Sequence, residues 1–182
     1  SMGGLIASQL AYDNDVSVSG LILSSTHLGF GCKKGEPLME RYANRLKTFS
    51  TKLSDIDYAM ERAQRNTPDG TSESVIKFLA NVALDIRKES IRDGGRMSQE
   101  TDNTNICKDL KVPVLILSGG KDTVISTEMH ASLIAALPRA HKVVFPKAGH
   151  ASFAEYPDRF NYQVTEFAKK VWNLNETVLN KL

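Results

Sequence analysis

The sequence predicts an α/β fold in which a helical insert interrupts a parallel sheet. Three observations carry that expectation. Short apolar runs at 16–24, 113–118 and 142–145 have the length and composition of strands. Stretches of helical periodicity precede, separate and follow them, and a parallel sheet needs such crossovers between its strands. Between the first two strands, residues 28–109 show helical periodicity and almost no strand signal, as expected of an insert covering the sheet's carboxyl edge.

Each element has its own signal. After Ser1-Met2-Gly3-Gly4, residues Leu5 to Tyr12 run at helical spacing up to a break at Asp13-Asn14-Asp15. Val16 to Ser24, VSVSGLILS, is rich in β-branched and apolar side chains and reads as the first strand. In the insert, Leu38, Tyr42, Leu46 and Phe49 share one helical face, and Ile56, Met60 and Ala63 share another after a capping Ser54. Val75, Phe78, Leu79, Val82 and Ile86 make a third, with breaks expected at Gly35, Pro68-Asp69-Gly70 and Gly94-Gly95. Pro113 to Ser118, PVLILS, is continuously apolar, as in a strand buried on both faces, and its proline stands where a missing N–H is tolerated. Gly119-Gly120-Lys121-Asp122 turns the chain. A helix over 128–137, a strand over 142–145 and a closing helix from Phe160 to about Leu179 follow, with Phe167, Val171 and Leu174 inward. Three segments result: 1–27 and 110–182 as parts of one α/β core, and 28–109 as a helical lid.

Composition narrows the function. With 23 basic and 21 acidic side chains spread along the chain, there is no electrostatic footprint for nucleic acid or anionic membrane, so neither is expected as a partner. No apolar run approaches the roughly 18 to 20 residues of a membrane helix, and no basic-then-apolar leader stands at the start, which leads us to expect a cytoplasmic protein. Cys32 and Cys107 are too few for a disulfide framework and are expected as reduced thiols. There is no HExxH and no cluster of His and acid at ligand spacing, so no metal or cofactor is expected.

Three residues stand at loops beside a strand's carboxyl end or a helix's amino end, where such sheets place ligands: Ser1, Asp122 and His150. Ser1-Met2-Gly3-Gly4 before an apolar helix looks like the second half of a nucleophile elbow, G-x-S-x-G, with Gly3 as its last glycine. There the serine occupies a strained turn, the glycines are expected as a steric requirement, and the next backbone N–H points at a developing oxyanion.

Together with Val112 to Asp122, VPVLILSGGKD, and Ala148 to Phe160, AGHASFAEYPDRF, this motif resembles the α/β-hydrolase superfamily, specifically its lid-bearing serine esterases and enol-lactonases. The resemblance covers the whole chain in the order Ser, Asp, His. It implies the C-terminal half of that fold with a lid insertion, and a serine hydrolase cleaving an ester, lactone or similar carbonyl through an acyl-enzyme. Ser1 would be the nucleophile, His150 the base and then the acid, Asp122 the group that orients the imidazole, and the Met2 backbone N–H half of the oxyanion hole. His27, after the first strand, is a candidate for lining the substrate pocket. His130 and His141 are expected on a helix surface and at a strand's start; Arg45, Arg62 and Arg96 are candidates for holding a substrate carboxylate, but solvated helix faces explain them more simply.

The chain departs from the family by lacking the strands before the elbow and the early loop that donates the second oxyanion N–H. A C-terminal fragment, poorly active alone, is therefore expected, with strand 16–24 exposed as an edge that pairs with a second copy in a homodimer. Two alternatives stay open: that Ser1-Met2 is a cloning remnant, and that the chain is a non-catalytic, receptor-like descendant binding a small ligand under the lid.

Overall fold

The computed structural model describes residues 1–13, 17–51 and 55–173. Helix α1 (Met2–Asp13) leads into strand β1 (Leu21–Ser24). Five helices follow: α2 (Glu40–Thr51), α3 (Asp55–Arg65), α4 (Glu73–Ala83), α5 (Lys88–Glu100) and α6 (Thr104–Asp109). Strand β2 (Val114–Gly119), helix α7 (Thr127–Ala136) and strand β3 (His141–Phe145) complete the sheet, and α8 (Ser152–Glu155) and α9 (Pro157–Trp172) close the chain.

All three strands are parallel in the order β1-β2-β3, with Leu21 opposite Val114 and Leu115 opposite His141. The uninterrupted apolar run of β2 has a simple cause: every one of its residues is buried, and its two faces feed different cores. Val114 and Ile116 pack with Leu21, Leu23, Ala11 and Leu133 on the α1 and α7 side. Leu115 and Leu117 pack with Phe145 on the other side, under Phe160, Val164 and Phe167 of α9. The insert has a small core of its own, where Ala59, Ala63, Ala80 and Ala83 let α3 and α4 approach closely.

The structure corrects three expectations. The first strand is limited to Leu21–Ser24, because its ladder runs along β2, which itself starts only at Val114; Leu21 N–H already reaches back to the Pro113 carbonyl at 2.9 Å. Of the expected strand 16–24, Val16 lies outside the described residues and 17–20 are not strand, so the edge proposed for a homodimer shrinks to four residues. Gly94-Gly95 does not break a helix but sits inside α5. A side chain at Gly95 would meet the Tyr42 ring at 2.9 Å, and one at Gly94 would meet Met2 Sδ at 2.5 Å, so both glycines serve close packing. The closing helix begins at Pro157, at its first turn where a missing N–H costs nothing, and ends at Asn173 in the left-handed region with φ 51°. Ser54 and residues 174–179 fall outside the described residues. No helix among the described residues is long and apolar enough to cross a membrane.

Candidate active site

The carboxyl end of β2 and the loop after β3 interlock through backbone contacts. Gly120 N–H donates to the Phe145 carbonyl and Lys121 N–H to the Ala148 carbonyl, each at 2.8 Å. A side chain at Gly119 would run into the carbonyls of Gly149 and Ala148, so only glycine admits this approach. The turn then delivers Asp122. Its Oδ1 accepts the N–H groups of Val124 (2.8 Å) and Ile125 (3.0 Å), and its Oδ2 lies 2.9 Å from His150 Nδ1. The carboxyl side chain is 1% exposed and the imidazole 13%. Burial by itself pushes the Asp122 carboxyl up; the His150 hydrogen bond and charge, with the two backbone donors, outweigh it and hold the group below the usual carboxylate range. A carboxylate only accepts, so Nδ1 carries the imidazole proton and Nε2 is left as an acceptor.

Three contacts hold His150 in place, none foreseen from the sequence. Its backbone N–H donates to the Asn66 carbonyl at 2.9 Å, tying the loop to the end of α3. Gly149 fits under that chain, since a Cβ there would meet Asn66 O and Pro68 Cδ at 2.9 Å. Both Glu155 oxygens accept Gly149 N–H, at 2.9 and 3.0 Å. Burial pushes the Glu155 carboxyl up, against the pull of that backbone bond.

Ser1 stands at the amino end of α1. Its carbonyl accepts Gly4 N–H (2.9 Å) and the Thr26 hydroxyl (2.6 Å), and its nitrogen donates to the Ser24 carbonyl (3.0 Å), so the turn is pinned to the end of β1. Of the two glycines expected to be steric requirements, only Gly4 is crowded: a Cβ there would meet Thr26 Oγ1 at 2.5 Å. At Gly3 nothing lies within 4 Å among the described residues, because it is on the open side of the helix. Met2 is the first residue of α1, where the N–H groups of a helix have no intrahelical acceptor.

A cavity of about 370 Å³ opens beside these groups, with Ser1, His27, His150, Arg41, Arg45 and Arg62 on its wall. A second space of about 720 Å³ shares Ser1, His150 and Arg62 but is otherwise largely apolar, with Leu79, Val82, Phe153 and Phe160. The structure thus brings Ser1, Asp122, His150 and His27 to one place. His27 Nδ1 accepts Gly29 N–H at 3.0 Å, and burial, then the Arg41 charge, lower its pKa to about 4, so it is neutral with its proton on Nε2.

Two other expectations fail here. His130 is not a plain surface residue: both ring nitrogens are buried without a partner, and burial depresses its pKa. Arg45 and Arg62 are half-buried cavity residues rather than solvated ones, and Arg96 is half-buried as well, paired with Glu100 at 3.3 Å. His141 is exposed at the start of β3. Among the described residues no three His, Cys, Asp or Glu side chains gather as a metal site, and Cys32 and Cys107 are free thiols.

Known proteins show the same arrangement of sequence and fold. The family model described as serine aminopeptidase, S33, matches residues 1–157. The pimeloyl-[acyl-carrier protein] methyl ester esterase of Pectobacterium atrosepticum is 31% identical over 175 residues, which are 93% of this chain and 68% of that relative. The enzyme of the same description from Vibrio atlanticus is 27% identical over 178 residues, covering 93% and 69%. A thermophilic esterase from Thermogutta terrifontis superposes with a TM-score of 0.77 at 25% identity, over 94% of this chain and 63% of the other. The enol-lactonase of Burkholderia xenovorans shares the fold with a TM-score of 0.76 at 23% identity, over 93% and 63%. The chain therefore spans about two thirds of the length of these proteins.

Proposed function

Since the chain belongs to the α/β-hydrolase family described as serine aminopeptidase, S33, we propose that it is a serine hydrolase of carboxylic esters working through Ser1, His150 and Asp122. The observation that carries the reading is the 2.9 Å contact of His150 Nδ1 with a buried Asp122 carboxylate, at the wall of a cavity that also holds Ser1. A histidine held in that tautomer has a free Nε2 to act as base.

Ser1 Oγ attacks the ester carbonyl carbon while His150 Nε2 takes its proton; the carbonyl π bond opens and its electron pair goes to oxygen. The Met2 N–H, at the amino end of α1, donates to that oxyanion. The intermediate collapses with loss of the alkoxide, which takes the proton back from His150 and leaves an acyl-Ser1 ester. Water, deprotonated by His150, repeats the addition and frees the acid and Ser1. Asp122 stays ionised throughout and stabilises the imidazolium. The insert over 28–109 serves as a lid, and its grip on His150 through Asn66 couples its position to the catalytic base. Neutral His27 offers its Nε2 proton to the bound ester. The relatives named as esterases favour an alcohol as the leaving group.

The test is covalent labelling by an uncharged p-nitrophenyl phosphonate, read by mass spectrometry of the peptide. Attachment at Ser1, abolished in Ser1→Ala and strongly slowed in His150→Ala, is expected. Attachment at another residue, or equal labelling of the Ser1→Ala protein, would overturn the proposal.

A further inference from the structure

The cavity beside Ser1 has an excess of positive charge that its own walls do not answer. Arg45 of α2 and Arg62 of α3 both border it. Arg45 Nε is buried with no hydrogen-bond partner. Arg62 is half-buried; burial, followed by the neighbouring Arg45 charge, lowers its pKa against the pull of the Tyr58 hydroxyl.

Neighbouring arginines are engaged. Arg41 donates to the Val124 carbonyl at 3.2 Å and lies 5.4 Å from the Phe30 and Tyr42 rings. Arg65 stands 3.8 Å from Glu61, and Arg96 binds the Glu36 carbonyl and Glu100. Among the described residues no Asp or Glu lines this cavity; two half-buried guanidinium groups facing a cavity without a carboxylate are costly to a fold, and the cost is relieved by an anion bound between them. The guanidinium fork matches the paired oxygens of a carboxylate or phosphate. His27 is neutral at ordinary pH and adds no cation to this count.

We infer that Arg45 and Arg62 form an oxyanion-binding subsite of the cavity, and that the substrate carries a carboxylate or phosphate remote from its scissile carbonyl. The inference rests on the esterase reading only in placing that carbonyl at Ser1. The geometry divides the substrate in two. The charged end lies toward Arg45 and Arg62, and an apolar portion lies in the space walled by Leu79, Val82, Phe153 and Phe160, which meets the first cavity at Ser1, His150 and Arg62. Arg62, bordering both, separates the charged end from the apolar one.

Equilibrium binding tests this without requiring turnover. Monomethyl glutarate, dimethyl glutarate and inorganic phosphate are titrated calorimetrically into the protein and into Arg45→Gln, Arg62→Gln and, as control, Arg92→Gln, whose side chain pairs with Asp93 outside the cavity. The monoester or phosphate should bind at least about tenfold more tightly than the diester, as a charge-assisted contact implies. Arg45→Gln and Arg62→Gln should erase that preference and Arg92→Gln should keep it. Tighter binding of phosphate than of the monoester assigns the group to a phosphate, and the reverse assigns it to a carboxylate. Equal or absent binding of all three to the wild-type protein overturns the inference, as does a preference that survives in Arg45→Gln and Arg62→Gln. If a variant does not fold, the wild-type comparison still decides. Anion preference without labelling of Ser1 would remove the catalytic reading alone, and labelling without anion preference would remove this subsite alone.

Discussion

Exchanging the two adjacent glycines after Ser1 for alanine, one at a time, should move stability in opposite directions. At Gly4 the added Cβ would stand 2.5 Å from Thr26 Oγ1 and 2.7 Å from Thr26 Cβ and Cγ2. Thr26 is 1% exposed, so it has no space to yield into, and its hydroxyl is the donor that pins the Ser1 carbonyl. Overpacking of this kind costs about 1 to 3 kcal/mol. Losing the Thr26 hydrogen bond adds about 1 kcal/mol, so Gly4→Ala should lose roughly 2 to 4 kcal/mol. With a urea dependence of about 2 kcal/mol per molar, the unfolding midpoint should fall by about 1 to 2 M. Because the displaced turn carries the proposed nucleophile, phosphonate labelling of Ser1 should slow as well. Gly3 is helical and has nothing within 4 Å, so Gly3→Ala should gain about 0.5 to 1 kcal/mol from its better helix propensity. Urea unfolding followed by circular dichroism measures both. A Gly4→Ala midpoint within error of wild type, or a Gly3→Ala loss larger than that of Gly4→Ala, would refute the packing argument.

Other expected outcomes follow from the same contacts. Asp122→Asn keeps an acceptor for the Val124 and Ile125 N–H groups but presents an N–H to His150 Nδ1, forcing the imidazole proton onto Nε2; labelling of Ser1 should fall by about 10³- to 10⁴-fold. The Asp122 pKa is lowered on folding, so its contribution to stability is present above the unfolded value and lost as pH falls through the folded one; an acid titration of Asp122→Asn should lack that loss. Folding lowers the His27 pKa from 6.5 to about 4, so the unfolded chain takes up the proton first and stability should drop as pH falls between those values. The drop should shrink in His27→Gln when urea midpoints are followed against pH. Glu155→Gln keeps an acceptor for Gly149 N–H and should label nearly as wild type, while Glu155→Ala strands that donor and should lose about 1 to 3 kcal/mol and slow labelling.

What could be read in advance was whatever is encoded locally. The apolar run at 113–118, the helical faces of the insert and the glycine-rich turn before Asp122 depend on neighbours a few residues away, and they appear close to their expected places as β2, α2 to α4 and the loop at 119–122. Ser1, Asp122 and His150 could be singled out for the same reason, since each lies in a short motif with its own turn chemistry. The first strand was overextended because VSVSGLILS has strand composition throughout, while a ladder forms only where β2 runs alongside. The Gly94-Gly95 pair was misjudged because its purpose, closeness to Tyr42 and Met2, lies in residues far away in the chain.

By itself, then, the order of residues determined the class of fold, the alternation of its elements and the groups proposed to perform acyl chemistry. Only the tertiary structure decided which groups support them: Asn66, Glu155 and Thr26 act through contacts 25 to 84 residues distant or around a short helix, with no periodicity to betray them. It also decided that Arg45 and Arg62 face a cavity. A charged residue on an amphipathic helix looks solvated until the neighbour that buries it is in place, because burial and electrostatic pairing belong to the packed assembly and not to any segment of it.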